Sequence, residues 1–419
     1  MYQVALFFYT LGAHIASLFS KKVRTMLKGQ LRAWHYLKKN IHEGDRIVWF
    51  HAASLGEFEQ GRPLMERLRR QQPDVRILLT FFSPSGYEVR KNYKGADLVC
   101  YLPFDTRVNA YSFVHIAKPE AAYFIKYEFW YNYLHSLHKK QVPVYSVSSI
   151  FRPGQIFFRR FHFGYRKCLS FITHFYVQNE ESRDLLTGIG ITDDRITVAG
   201  DTRFDRVVDI QQQARPLPIV EQWAHEREDH ILVCGSTWPP DESLIIPYFN
   251  AHPELRLVMA PHVVSEEHLL KIERQMERPV VRLSQYVQQC RTAQEQSLAM
   301  PPLPEALLVD SYGLLSSIYR YGHVAYVGGG FGVGIHNVPE AAVYGIPVII
   351  GPRNKKFQEA VDLLACGGAL QVDDEASFND TLTRLLTDEA YRLSAGHSAG
   401  TYISSHAGAA DIIMPVKPL

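Results

Sequence analysis

Residues 46–72 read RIVWFHAASLGEFEQGRPLMERLRRQQ. An apolar, β-branched and aromatic run gives way to a tight turn of small residues, and an amphipathic pattern with helical spacing follows. This is a strand, a turn and a helix within one short stretch. The turn sets a carboxylate, Glu57, at the start of the helix, directly after Gly56, where the backbone can be approached closely.

The same unit recurs along the chain. VRILLTFFS, AAYFIKYEF, VPVYSVSS and HFYVQ are short strand-like runs separated by helical patterns such as WYNYLHSLHKKQ. Alternation of this kind predicts βαβ units and a parallel sheet. After RITVAGDTRFDRV comes a polar stretch, and the alternation restarts with HILVCGS, LRLVMAP, EALLVDS, HVAYVGGG and IPVIIGP. The expected architecture is α/β, with two doubly wound, Rossmann-like domains facing a central cleft and an apolar helix at the N-terminus. The expected boundaries are a leader at 1–22, an acceptor-binding domain at 23–208, a linker at 209–229, a nucleotide-sugar-binding domain at 230–400, and a tail at 401–419 that could return to the first domain. In such sheets ligands bind beyond the carboxyl ends of the strands.

The 419 residues, 46% hydrophobic and 21% charged, suit a globular protein with two cores, and a formal charge of +2 gives no general affinity for nucleic acid. Five scattered cysteines without a CxxC pair argue for a reducing compartment and against a structural zinc site. The leader MYQVALFFYTLGAHIASLFS carries no charged side chain and is followed at once by KKVRTMLKGQLR. As a helix it is long enough to cross a bilayer. Gln3, Thr10, His14 and Ser17 form a polar stripe, so a helix lying in the interface, or one packed on the protein, fits as well as a full span, and membrane association is expected over simple burial in the fold. If it spans, Lys21, Lys22, Arg24 and Lys28 place the following domain on the cytoplasmic side.

In the second half, VAYVGGGFGVGIHNVPEAAVYGIPVIIGP (324–352) is a strand, a glycine-rich loop and a helix expected to start near Asn337. Gly328, Gly329, Gly330, Gly332 and Gly334 permit close backbone approach, and a helix N-terminus suits a phosphate. His336, Asn337, Val338, Pro339 and Glu340 complete the candidate site, with Glu340 placed to accept from ribose hydroxyls. Asn337 and Glu340 also stand nearly as a capping box, so both could simply start the helix. Ser236 and Thr237, Pro261 and His262, and Tyr312, Gly313 and Leu314 follow three other strands and point to the same crevice. No metal-ligand spacing stands out, so no metal and no cofactor are expected. The leaving phosphate would then be met by dipoles, backbone N–H groups and basic side chains.

In the first half, Glu57 can take a proton from an attacking hydroxyl, or it can cap its helix, a role for which Glu59 competes. The helix dipole would lower its pKa and burial would raise it. FRPGQIFFRRFHFGYRKC (151–168) mixes arginines and aromatics, a combination suited to an anionic amphipathic acceptor; single-stranded nucleic acid is the competing partner.

Taken together, HAASLGEFEQGRPL, YEFWYNYL, VQNEESRDLL, AGDTRFD, GSTWPPDE and GGGFGVGIHNVPEAAVYGIPVIIGP resemble the bacterial 3-deoxy-D-manno-octulosonic acid (Kdo) transferases of lipid A biosynthesis, inverting glycosyltransferases of the GT-B type. The resemblance runs along essentially the whole chain. It implies CMP-Kdo as donor, a lipid A precursor as acceptor and the cytoplasmic face of the inner membrane as the place of action. It further implies Glu57 as general base toward the acceptor 6′-hydroxyl. CMP contacts fall on Pro261 and His262, on Tyr312 to Leu314, and on Asn337 to Glu340. Two positions depart from the family pattern. Lys126-Tyr127-Glu128 stands where the family commonly has Glu-x-Glu, and Arg203 stands where it usually has lysine. Both places are associated with transition-state support. The rival readings are a GT-B glycosyltransferase or epimerase using a UDP- or ADP-sugar, and a non-catalytic lipid- or nucleotide-binding protein.

Overall fold

The computed structural model describes residues 2–161, 164–214, 216–332 and 334–415. The chain divides into two compact units, Met1–Arg206 with His406–Leu419, and Val207–Ser405.

The first unit is built on seven strands: β1 (Ile47–Ala52), β2 (Arg76–Phe81), β3 (Leu98–Tyr101), β4 (Ala121–Ile125), β5 (Val144–Ser149), β6 (His174–Val177) and β7 (Ile196–Val198). Their order across the sheet is β3-β2-β1-β4-β5-β6-β7. Every pairing is parallel, with Trp49 opposite Leu78 on one side of β1 and Ala122 on the other. All six residues of β1 are buried, as expected of a strand covered on both faces. The chain leaves β1 in one direction across the sheet and resumes from β4 in the other. The two strands therefore flank the switch point where a crevice opens.

The second unit repeats the plan with β8 (His230–Thr237), β9 (Leu255–Pro261), β10 (Val280–Arg282), β11 (Ala306–Leu308), β12 (Val324–Val327), β13 (Val348–Ile350) and β14 (Ala369–Gln371). The order is β10-β11-β9-β8-β12-β13-β14, again all parallel, and its switch point lies between β8 and β12.

Two helices precede the first sheet, α1 (Tyr2–Phe19) and α2 (Lys21–Asn40). Helix α2 buries Met26, Gln30, Ala33 and Leu37, a stripe at helical spacing that seats it on the sheet. Helix α1 is long and apolar enough to cross a membrane and buries only Leu6 among its described side chains. Its first turn is tied down: the Tyr2 hydroxyl donates to Asp105 Oδ2, and Gln3 Nε2 donates to Asn132 Oδ1 at 2.7 Å. At its other end Arg24 donates to the carbonyls of Ser17 and Leu18, closing the last turn. The polar stripe divides accordingly. Gln3 reaches the domain, whereas Thr10 and Ser17 bond back to carbonyls of their own helix.

The polar stretch read as a linker over 209–229 is largely helical. It holds the end of a helix at Thr202–Gln213 and a second helix at Pro218–His225; Arg215 between them lies outside the described residues. Trp223 is fully buried, with its indole N–H donated to the Pro304 carbonyl at 2.8 Å, and with buried Val220 and Ala224 it anchors this polar run. Beyond the long helix at Glu389–His406, a short helix at Ala409–Ile413 packs Ala409, Ala410 and Ile413 into the core of the first unit; residues 416–419 lie outside the described residues.

Candidate active site

Each switch point gathers polar side chains. In the first unit, helix α3 (Leu55–Gln71) follows β1, with Ser54 as its N-cap and Glu57 in its first turn. Glu57 Oε2 accepts from the backbone N–H of Ala53 and, at 3.1 Å, from that of Ser54. The carboxylate therefore does cap its helix, satisfying two N–H groups the helix leaves open. Glu59 takes no part; it pairs with Arg90 at 2.9 Å. Both donors meet Oε2, so Oε1 is left for another partner. Burial is the largest influence on Glu57 and raises its pKa, opposed by the Ala53 N–H, the Lys126 charge and the Ser54 N–H. Burial thus prevails over the helix terminus.

Lys126 and Glu128 lie just beyond β4, the neighbour of β1. Lys126 sits at φ 61°, an uncommon backbone conformation for a side-chain-bearing residue, held by its N–H to Val147 O at 2.8 Å and by the Ser149 hydroxyl donating to its carbonyl. Burial and then the Glu57 charge raise the pKa of Glu128 to about 7, against Trp130 and Lys126. Residues from two strand ends thus form one group of two carboxylates and an ammonium. Behind it His51 is buried and neutral, its pKa lowered to about 3 by desolvation. The Trp130 indole donates to His51 Nε2 at 3.3 Å, which assigns the ring proton to Nδ1, facing the Thr80 hydroxyl at 2.9 Å.

Arg203 belongs to a second cluster, one the motif reading registered only in part. Asp201, 5% exposed, accepts from Gln60 Nε2 (2.9 Å), Gln178 Nε2 (3.1 Å), the Arg203 backbone N–H (3.0 Å) and Arg203 Nε (2.9 Å). Thr202 donates to the Gln60 carbonyl at 2.6 Å and meets the Ser148 hydroxyl at 2.9 Å. Asp201, Gln60, Gln178 and Ser148 thereby fix the root of Arg203. AGDTRFD contained the aspartate, but nothing in a linear reading could show which distant glutamines it holds.

In the second unit Ser236 (φ 53°) and Thr237 end β8, Pro261 ends β9 opposite Thr237, and the His262 N–H donates to the Thr237 carbonyl at 2.9 Å. The rings of Trp238, His262 and His336 stack: His262 lies 4.8 Å from Trp238 and 4.3 Å from His336, and the Trp238 indole donates to His336 Nε2 at 2.9 Å. The exposed Tyr312 reaches this rim, its hydroxyl accepting from the Val264 N–H at 3.2 Å; Gly313 behind it has φ 90°, and Leu314 is half-buried.

The glycine loop differs from expectation. The helix after it spans only Pro339–Ala342, and Asn337 bonds the Glu340 side chain at 2.7 Å instead of capping a helix. The N–H groups of Gly328, Gly329, Gly332, Gly334 and His336 are spent within the unit, on Gly235 O, Asp241 Oδ2, Gly329 O, Gly329 O and Gly328 O. Two of the glycines are demanded by space within the fold: a Cβ on Gly328 would stand 2.5 Å from Ser236 O and one on Gly330 2.6 Å from Gly351 Cα. Val333 lies outside the described residues. Val338 and Pro339 are buried, so their side chains belong to the core; His336, Asn337 and Glu340 are at least partly exposed. The organiser that sequence reasoning missed is Asp241, fully buried, which accepts from the Gly329 N–H (2.9 Å), the Trp238 N–H (2.8 Å) and the Tyr326 hydroxyl (2.8 Å).

A family model described as 3-Deoxy-D-manno-octulosonic-acid transferase (kdotransferase) matches residues 28–206. The 3-deoxy-D-manno-octulosonic acid transferase of Aquifex aeolicus is 25% identical over 359 residues, covering 84% of this chain and 89% of its own. That of Bordetella pertussis is 26% identical over 380 residues, covering 86% of this chain and 84% of its own. The chain is a relative of the bacterial Kdo transferases. Like them it is a glycosyltransferase. The fold agrees: a UDP-GlcNAc 2-epimerase from Neisseria meningitidis superposes with a TM-score of 0.60 at 14% identity, over 88% of this chain and 99% of that one. At that identity the likeness speaks for the GT-B architecture alone and gives no weight to an epimerase.

Proposed function

We propose that the protein is an inverting, metal-independent transferase that moves Kdo from CMP-Kdo to the 6′-hydroxyl of a lipid A precursor at the cytoplasmic face of the inner membrane. The observation that carries the chemistry is Glu57: a buried carboxylate at the β1–β4 switch point, with raised pKa and one oxygen outside its capping bonds. A base of raised pKa takes a hydroxyl proton more effectively near neutrality. In this reading Glu57 Oε1 accepts the acceptor proton while Lys126 steadies the negative charge around it. Arg203, held on Asp201, meets an anionic group of donor or acceptor. The second unit holds the nucleotide at the rim formed by His262, Tyr312, His336, Asn337 and Glu340.

Membrane association in this reading uses α1 lying in the interface. Its first turn is bonded to Asp105 and Asn132, and a helix held at that end does not carry Tyr2 across a bilayer. Val4, Phe7, Phe8, Leu11, Ile15 and Leu18 face outward, and the basic start of α2 follows. The basic and aromatic stretch at 151–168 adds exposed Phe161 and Ile156 to the surface; His162 and Phe163 within it lie outside the described residues.

The test is mass analysis of the glycolipid formed from lipid A precursor with CMP-Kdo, and in parallel with UDP-sugars. A product heavier by Kdo, formed only with CMP-Kdo, is expected. Turnover only with a UDP-sugar would overturn the reading.

A further inference from the structure

Beneath α1 runs an apolar groove of about 500 Å³, a volume in the range of small-molecule sites. Gly12, Ala13 and Ala16 of α1 form one wall, Val23 and Met26 of α2 another, and Phe82, at the end of β2, its inner boundary. The small side chains on α1 keep the space open: a Cβ built on Gly12 meets nothing within 4 Å.

One residue of the groove's lining, Phe82, packs against the aromatic side chains beside the Glu57 site. The Phe82 ring packs on Trp130 at 4.9 Å and on Phe104 at 6.0 Å. The Trp130 indole is bonded to His51, and the same side chain stabilises the charge on Glu128. Tyr9, on the groove's rim, sits edge-on to Phe104 at 5.8 Å and within electrostatic range of Glu128. On its opposite face α1 bears the outward apolar ridge, from Val4 to Leu18, with exposures of 46–68%. One helix therefore offers an apolar face to its surroundings and lines an apolar groove that is separated from Glu128 by the Phe82–Trp130 pair.

A free sugar gains nothing from such a groove, whereas a hydrocarbon chain gains by every methylene withdrawn from water. We propose that the groove under α1 holds one acyl chain of the lipid acceptor, fixing the sugar it carries against Glu57. This rests on the reading of the acceptor as a glycolipid and assigns it a specific place on this chain.

Gly12→Leu tests the idea, because a Cβ at this groove-lining position meets nothing within 4 Å, leucine favours the helix over glycine, and its side chain adds bulk to the groove. Initial rates would be measured in matched detergent micelles with the tetra-acylated precursor and with its fully deacylated disaccharide. For Gly12→Leu the KM toward the acylated acceptor is expected to rise about tenfold with kcat unchanged, while kcat/KM toward the deacylated acceptor stays within about twofold. A parallel measurement uses an acceptor with a brominated chain, which should quench indole fluorescence in the parent protein and less so in Gly12→Leu. If the parent transfers Kdo and the variant treats both acceptors as the parent does, the groove assignment falls and the proposed activity stands. If the parent transfers nothing to either acceptor, the proposed activity falls. The groove is then judged by quenching, whose absence, or persistence in Gly12→Leu, overturns it.

Discussion

The Glu57 carboxylate, beyond β1, acts on Glu128, beyond the neighbouring β4: after burial its charge is the larger cause that raises the Glu128 pKa to about 7. A carboxyl shifted upward is stabilised as the neutral acid in the folded chain. Its contribution to stability is therefore complete below its ordinary 4.5 and lost as pH rises through about 7. Glu128→Gln should remove this loss, on the order of 1–2 kcal/mol after solvent screening. Asp105, raised to about 7 by burial, supplies a background slope common to both proteins. Thermal unfolding followed across this range should show a flatter pH dependence for Glu128→Gln, and also for Glu57→Gln, which removes the neighbouring charge. Identical slopes in all three would show that the two carboxylates do not communicate.

Glu57 caps α3 and is also the proposed base, and the two roles separate by substitution. Glutamine can still accept from Ala53 and Ser54, so Glu57→Gln should stay within about 1 kcal/mol of the parent. It should keep its affinity for CMP and lose turnover by about 10²–10⁴. Glu57→Ala should lose the same turnover and about 1 kcal/mol of stability besides. Chemical denaturation with steady-state rates tells the outcomes apart. A Glu57→Gln protein of normal turnover leaves the residue only its structural role.

Arg203 and Asp201 divide activity from stability in the same way. The arginine side chain is 44% exposed and its partner 5%, so Arg203→Ala should cost no more than about 1 kcal/mol. Asp201→Ala strips the acceptor shared by Gln60, Gln178 and Arg203, and should cost about 2–4 kcal/mol. If Arg203 meets an anionic substrate group, Arg203→Ala should still lower kcat/KM sharply, and Arg203→Lys should recover part of it. Unfolding curves and rates measured on the same preparations check both halves.

What could be read along the chain was whatever is local. The strand–turn–helix at 46–72 is nearly complete within its own residues, and apolar runs covered on both faces announce a parallel sheet. Glu57 was legible because its meaning, a carboxylate at a strand end, is a local fact. Its choice over Glu59 was not, since that depends on which side chain reaches the Ala53 N–H. The Asp201 and Asp241 clusters escaped because their partners come from remote strands and helices. The packing role of the glycine loop was hidden for a related reason. Glycine permits both a ligand's approach and a neighbouring backbone's, and only the fold reveals that Gly351 and Ser236 occupy the space. The helices within 209–229 were hidden by a polar composition, since few of its side chains are buried, Val220, Trp223 and Ala224 among them.

That reading of the loop gives a paired test. A methyl group on Gly330 would stand 2.6 Å from the Gly351 Cα, a backbone atom that cannot swing aside, so Gly330→Ala should force the loop from β13 at a cost of about 1–3 kcal/mol. Gly332 has nothing within 4 Å of its Cβ position, and Gly332→Ala should stay within about 0.5 kcal/mol. The Gly332 N–H is already bonded to the Gly329 carbonyl at 3.0 Å, so CMP affinity, measured by calorimetry, should also survive Gly332→Ala. Gly330→Ala should lose affinity in step with stability, because the Asp241–Gly329 bond that shapes the rim would be strained. If Gly332→Ala folds normally yet no longer binds CMP, a phosphate approaches this loop directly. The glycines would then serve the ligand as well as the packing.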